Sequence, residues 1–340
     1  MTAAKHILVL RFSALGDVAM TVPVLKNLVQ QHRDLYLTVV SRPQYEPLFR
    51  DLERVKFFPA DVNRQYRGVF GLSRLARRIR KEVPFHAVAD LHDSLRTKLL
   101  RMLLGQRHAV IDKGRKERRA ITRRRNKTLQ PLRSVFQRYA DVFSQLKFPV
   151  TLDTKTGTLR PPVDERVPAA GGRITIGVAP FANHLPKMYP LDRTREVVRR
   201  LSNLEGATVL LFGSKAEGRI LADWEKDFPQ VRSVAGKFDL AGELAMIARL
   251  DVMVSMDSAN MHLASLYGVP VISIWGGTHP YAGFYGWGQS PDHAVQANLD
   301  CRPSSIFGNR PCPVHGLQGC MDPITPDEIV QRVKQVLSIS

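Results

Sequence analysis

The chain has 340 residues, enough for two domains that each carry a core. Its 44% hydrophobic and 24% charged content is that of an ordinary globular protein, and no apolar run reaches the roughly 18 residues that a membrane span needs. The formal net charge of +19 calls for an anionic partner, whether nucleic acid, an anionic membrane surface or an acidic substrate.

The amino terminus is apolar only briefly before Arg11, so it reads as a first strand and not as a secretion signal, and the protein is expected in the cytoplasm. Strands are expected at His6–Arg11, Leu35–Ser41 and His86–Leu91, with helices at Ala19–Gln31, Leu72–Val83, Leu95–Leu104 and Ser134–Leu146. Such alternation indicates an α/β fold, a parallel sheet covered by helices. At the first strand-to-helix turn, Gly16 permits a close backbone approach and Asp17 falls at the helix start. From pattern alone Asp17 is an amino-terminal cap; a carboxylate in that crevice could instead be a general base. Gly-x-Gly-x-x-Gly and Gly-x-x-x-x-Gly-Lys-Ser/Thr are both absent, which argues against a dinucleotide oxidoreductase and a P-loop nucleotidase.

Between Arg107 and Arg138 lies a run of Lys and Arg with little acid, read either as a solvated, partly mobile loop or as an anion trap. From Lys147 to Gly172 the chain changes character: Pro149, Pro161, Pro162, Pro168, Gly171 and Gly172 mark the passage from one domain to the next. Alternation then resumes with a strand at Arg173–Val178, a helix at Arg193–Leu204, a strand at Ala207–Phe212 and a helix at Glu217–Asp227, followed by the segment Leu240–Leu250. Next comes the most informative unit, a strand over Asp251–Val254, a helix from about Ala259 to Leu266 and a strand over Val271–Trp275. A helix that starts at the carboxyl end of a parallel strand offers unpaired N–H groups and a positive dipole end to a phosphate. Asp257 cannot bind phosphate but can accept from hydroxyls, while Ser258 and His262 can donate, so the ligand should carry both groups, as a nucleotide-sugar does. An amphipathic helix over Pro326–Leu337 closes the chain. The expected division is 1–160, 161–325 and a carboxyl-terminal helix, 326–340, that could pack back towards the first domain. Cys301, Cys312 and Cys320 could join His315 in a Cys3His zinc site, but they lack tight Cys-x2-Cys pairs, and a loop with buried thiols is the preferred reading.

Four motifs occur in order: Ser13-x-x-Gly16-Asp17 with Pro23; Ala179-Pro180-Phe181 followed by Lys187-Met188-Tyr189-Pro190; Phe212-Gly213-x-x-x-Glu217; and Asp257-Ser258-x-x-x-His262, then Gly276-Gly277-Thr278-x-Pro280. Together they resemble the bacterial lipopolysaccharide heptosyltransferases, glycosyltransferase family 9, over nearly the whole length. The resemblance implies a GT-B fold, two doubly wound Rossmann-like domains facing across a cleft, and inverting transfer of heptose from ADP-heptose to the lipopolysaccharide inner core. A related transferase using another nucleotide-sugar such as a UDP-hexosamine, or a non-catalytic anion-binding protein, are the alternatives. It also implies Asp17 as catalytic base, Lys187, Ser258, Ala259, Asn260 and His262 on the donor diphosphate, Glu217 on the ribose and Asp257 on the donor sugar. The family usually carries Gly where this chain has Ala259. Acceptor contacts are expected from Arg64, Arg67, Arg96, Arg118, Arg119 and Arg123, on a basic surface that would also hold an anionic inner-membrane leaflet. The reading calls for no cofactor, no catalytic metal (there is no Asp-x-Asp) and no nucleic acid, since no DNA- or RNA-binding motif is present.

Overall fold

The computed structural model describes residues 5–167 and 173–339, so Pro168, Gly171 and Gly172 of the expected domain passage lie outside the described residues. The chain divides into two compact units, Met1–Lys113 with Ser134–Thr158, and Gly114–Arg133 with Leu159–Ser340.

The first unit runs β1 (Lys5–Leu10), α1 (Leu15–Ala19), α2 (Thr21–Gln31), β2 (Leu35–Ser41), β3 (Val55–Pro59), α3 (Gly68–Glu82), β4 (Ala87–Asp90), α4 (Leu95–Leu104) and β5 (Arg107–Val110). The chain then enters α5 (Arg115–Ile121), which belongs to the second unit, and returns for α6 (Val135–Gln145) and α7 (Thr154–Gly157). All strands are parallel, in the order β3-β2-β1-β4-β5. Ile7 to Leu10 of β1 are wholly buried, as expected for a central parallel strand covered on both faces. The single helix expected over Ala19–Gln31 is two, α1 and α2. Pro23 has no N–H to give to the carbonyl of Ala19, so one helix cannot run through this point.

The second unit continues with β6 (Ile174–Ala179), α8 (Leu191–Ser202), β7 (Ala207–Leu211), α9 (Gly218–Asp227), β8 (Val231–Ser233), α10 (Leu240–Ile247), β9 (Val252–Met256), α11 (Ala259–Leu266), β10 (Val271–Trp275), β11 (Ala294–Gln296) and α12 (Pro326–Leu337). Its strands are also parallel, in the order β11-β10-β9-β6-β7-β8. In each sheet the strand order reverses once, between β1 and β4 and between β6 and β9, and the carboxyl ends of those pairs make the crevice where α/β sheets bind ligands.

Two expectations change here. The basic stretch is not only loop: α5 forms within it, the Arg118 guanidinium stands 4.8 Å from the Phe284 ring and 5.6 Å from the Phe307 ring, and Leu132 donates to the Tyr281 carbonyl at 2.9 Å. Arg118, Arg119 and Arg123 therefore belong with the second unit, where the sequence reading put them with Arg64, Arg67 and Arg96 in the first. Ile329, Val330 and Val333 of α12 are buried in the second unit's own core, against α8, because the helix has one apolar stripe and spends it there.

Candidate active site

In the first unit, Asp17 occupies the third position of α1, just beyond β1. Its Oδ2 accepts the Ala14 N–H at 3.3 Å and pairs with Arg11 at 2.7 Å, and Oδ1 has no bond among the described residues. It therefore does cap the helix, from inside the first turn, and one oxygen remains open. The Arg11 side chain is only 9% exposed and Asp17 about a third. Arg11 also donates to the Leu91 carbonyl at 2.7 Å. Burial opposes its charge, but Tyr139 and Asp17 outweigh that and hold the guanidinium above its ordinary value. At the end of neighbouring β4, Asp90 is wholly buried, accepts from the His92 and Asp93 N–H groups at 2.9 and 2.8 Å, and pairs with Arg101 at 3.2 Å. Burial, with the charges of Arg11 and Lys113, pushes the His92 imidazole down to about 4. His92 is thus neutral near pH 7. Its Nδ1 accepts from the Phe12 N–H at 3.4 Å, so the proton sits on Nε2, which can only donate. Arg11 and His92 were not singled out by the sequence reading, and Lys113 figured there only as a member of the basic stretch. Arg96 donates to Asn63 at 3.0 Å, which brings it beside exposed Arg64; Arg67 precedes α3, also exposed.

In the second unit, β6 leads through Ala179-Pro180-Phe181 to a single tight turn, Leu185–Lys187, and Asp257 follows directly on the end of β9. The Lys187 Nζ lies 2.9 Å from Asp257 Oδ2, with the two side chains 16% and 7% exposed. Ser258 precedes α11 but does not cap it. Ser255 donates its proton to the Met256 carbonyl, so Ser258 donates to Ser255 Oγ at 3.1 Å instead of accepting from the helix. The first-turn amides at Ala259 and Asn260 therefore lack a side-chain cap, the condition in which a helix start takes an anion. His262 is 7% exposed, between the buried Met261 and Leu263. Glu217 closes its own turn, accepting from the Ser214 N–H at 2.6 Å at the start of α9. Lys187, Asp257, Ser258 and the opening of α11 thus gather at one crevice, while Glu217 follows β7, one strand further on.

Two glycines allow close approach here. A Cβ on Gly276 would strike the Met321 side chain and the Pro186 carbonyl, and one on Gly308 would strike the stem of Lys187. Thr278, 1% exposed, has a buried hydroxyl with no partner among the described residues.

Both units are thus parallel Rossmann-like sheets, one with a held carboxylate and the other with an ammonium beside an uncapped helix start. The sequence matches the profile of glycosyltransferase family 9 (heptosyltransferase) over residues 72–306, and the chain belongs to that family. It is similar in fold to E. coli ADP-heptose lps heptosyltransferase II (TM-score 0.70, 18% identity, 98% of each chain covered). It is likewise similar to a family 9 glycosyl transferase from Veillonella parvula (TM-score 0.75, 16% identity, 99% of this chain and 98% of that one). A third likeness is to E. coli heptosyltransferase WaaC with ADP (TM-score 0.70, 18% identity, 97% and 99%). Among curated proteins the sequence finds no match.

Proposed function

We propose that the protein moves a heptose from ADP-heptose to the lipopolysaccharide inner core, with inversion at the anomeric carbon. The observation that carries this reading is the Lys187–Asp257 pair at the uncapped start of α11. An incoming diphosphate would draw the ammonium to itself and leave Asp257 to accept from sugar hydroxyls, with the Ser258, Ala259 and Asn260 turn and His262 completing the seat. Glu217 would take the ribose hydroxyls. Asp17 would remove the proton from the acceptor hydroxyl as that oxygen attacks the anomeric carbon, and ADP would leave with the bonding electrons. Arg11, paired with Asp17 at 2.7 Å, holds that carboxylate in place. The ammonium and helix amides neutralise the departing diphosphate, so no divalent ion is assigned to the reacting centre. ADP-heptose is named with E. coli heptosyltransferase II, a protein of the same fold.

The acceptor is read as an acidic glycolipid, met by Arg64, Arg67 and Arg96 and by Arg118, Arg119 and Arg123. No helix among the described residues is long and apolar enough to cross a membrane. Exposed Val69 and Phe70 on α3 and Leu95 and Met102 on the adjacent α4, set among basic residues, support peripheral binding to an anionic leaflet.

The test is direct. Asp17→Asn should bind ADP-heptose as the wild type does and lose turnover by about 100-fold or more. Turnover should not depend on added Mg2+ or Mn2+. Full activity of the Asn variant would remove Asp17 as base; strict dependence on an added ion would refute the metal-free step. Preference for a UDP-hexosamine in binding assays would replace the donor, and failure to turn over any nucleotide-sugar would leave an anion-binding protein.

A further inference from the structure

We propose that Cys301, Cys312, Cys320 and His315 hold one zinc ion, which clamps the segment from Leu299 to Met321 onto the crevice containing Lys187. The four ligand atoms all lie within 4.8 Å of one another. Cys301 Sγ is 3.8 Å from Cys320 Sγ and 3.3 Å from His315 Nδ1, and Cys312 Sγ is 3.9 Å from the same nitrogen. A tetrahedral ion with Zn–S of ~2.3 Å and Zn–N of ~2.05 Å requires edges of about 3.8 Å between sulfurs and about 3.6 Å between sulfur and nitrogen. Those three separations lie close to the required edges, and no two of the four ligand atoms are more than 4.8 Å apart.

The chain around it is shaped for chelation. Cys312 and Gly316 exchange backbone hydrogen bonds at 2.7 and 2.9 Å, closing a tight hairpin that puts Cys312 and His315, a Cys-x2-His pair, on one side. Charge gives an independent reason. A zinc ion with three thiolates and one imidazole carries a net charge of −1. Arg302, 2% exposed, donates only to neutral oxygens, those of Gly276, Gln296, Ala297 and Thr278, although Cys301 and Cys320 lie within its electrostatic reach. Lys127 donates to the Asp300 and Pro303 carbonyls at 2.9 and 3.2 Å, close to Cys301 and Cys312. These cations suit an anionic centre better than four neutral groups. Three soft sulfurs and one nitrogen in a tetrahedron select zinc, and with all four positions filled by protein the site is structural.

The clamp has visible attachments. Ser304 N–H donates to the Gly277 carbonyl at 2.9 Å, Gln318 donates to the Met188 carbonyl at 2.9 Å, and Gly308 and Met321 abut Lys187 and Gly276.

Protein purified under reducing conditions without chelator should contain one zinc per chain by elemental analysis. Apo-protein prepared with chelator should take up one equivalent of Co2+, with the visible bands and sulfur-to-metal charge transfer of a tetrahedral thiolate site, displaced by one equivalent of Zn2+. Thermal unfolding of apo-protein should fall below that of the zinc form, and Cys312→Ser and His315→Ala should each weaken metal affinity by at least about 100-fold. A ligand substitution can cost the fold, so the titration of the wild-type apo-protein stands as a test by itself. Failure to bind either ion at one equivalent, a spectrum of octahedral cobalt, one iron in place of zinc, or a Cys301–Cys320 disulfide in freshly purified protein would overturn the proposal.

Discussion

Replacing Lys187 by Met should destabilise the second unit and leave the first untouched. At 2.9 Å the Lys187–Asp257 attraction is about 6 kcal/mol at an effective dielectric constant near 20. Much of that offsets the cost of taking both charges out of water, but the substitution removes only one partner and strands the other. For a pair this buried the expected cost is about 3–5 kcal/mol, nearer the lower figure because Lys187 keeps some contact with water. At about 2–4 °C per kcal/mol for a unit of this size, about 3 kcal/mol is a fall of roughly 6–12 °C in Tm. The assay is unusually clean, since the three tryptophans of the chain, Trp224, Trp275 and Trp287, all lie in the second unit, and intrinsic tryptophan fluorescence follows it alone. The double variant Lys187→Met/Asp257→Asn removes the stranded charge and should recover most of the loss. A single variant within about 0.5 kcal/mol of wild type, or a double variant showing the plain sum of its singles, would refute the reasoning.

The remaining expectations concern titration and packing. His92 has a folded pKa of about 4, below its unfolded value near 6.5, so its contribution is present above pH 6.5 and is lost as pH falls towards 4, about 3 kcal/mol in all. His92→Asn should flatten that slope in urea melts followed by circular dichroism at pH 7 and 4.5; an unchanged slope would exclude it as the source. Glu243 behaves oppositely. Burial and the neighbouring Asp239 charge raise it to about 7, so its contribution is complete below about pH 4.5 and disappears as pH rises through 7. Glu243→Gln should therefore gain up to about 3 kcal/mol relative to wild type between pH 5 and pH 8, and equal differences at the two pH values would contradict this. Gly308→Ala places a side chain at φ +67° and its methyl against Lys187, and should cost about 1–3 kcal/mol with weaker ADP-heptose binding; an unaltered Tm would mean that the loop yields freely.

Where the sequence was legible, each boundary carried its own chemical signal. The helix Ala259–Leu266 and the strand Val271–Trp275 stand where Asp257-Ser258 and Gly268-Val-Pro place them, and Leu35–Ser41 and Leu95–Leu104 likewise. The strands that went unread, β3, β5, β8 and β11, are the four edges of the two sheets. An edge strand pairs on one side and is short, and β5 buries only Ala109, so no apolar run marks it. The helix α5 was hidden by charge: what orders it includes two phenylalanine rings far along the chain, which no local pattern reveals. Arg11 read only as the end of a strand, yet burial makes it the partner of Asp17. The cysteine spacing was judged by the absence of a Cys-x2-Cys pair, while the tight pair is Cys312-Pro-Val-His315.

The two crevices, built alike, are equipped for opposite tasks. At the reversal between β1 and β4 stand a carboxylate with one open oxygen, a guanidinium paired with it and a neutral imidazole that only donates. Such a group of side chains can accept a proton from a hydroxyl at neutral pH, but a phosphate would meet the Asp17 charge. At the reversal between β6 and β9 stand an ammonium and free helix amides, with the only carboxylate of the pair already neutralised by that ammonium. That arrangement favours added negative charge and has no unpaired base to offer. The division of labour proposed for the two crevices, base and phosphate seat, thus matches the charge that each strand end leaves uncompensated. Exchanging the signs, with Asp17→Lys in one crevice and Lys187→Asp in the other, should abolish both donor binding and turnover, while Asp17→Asn alone should abolish only the second.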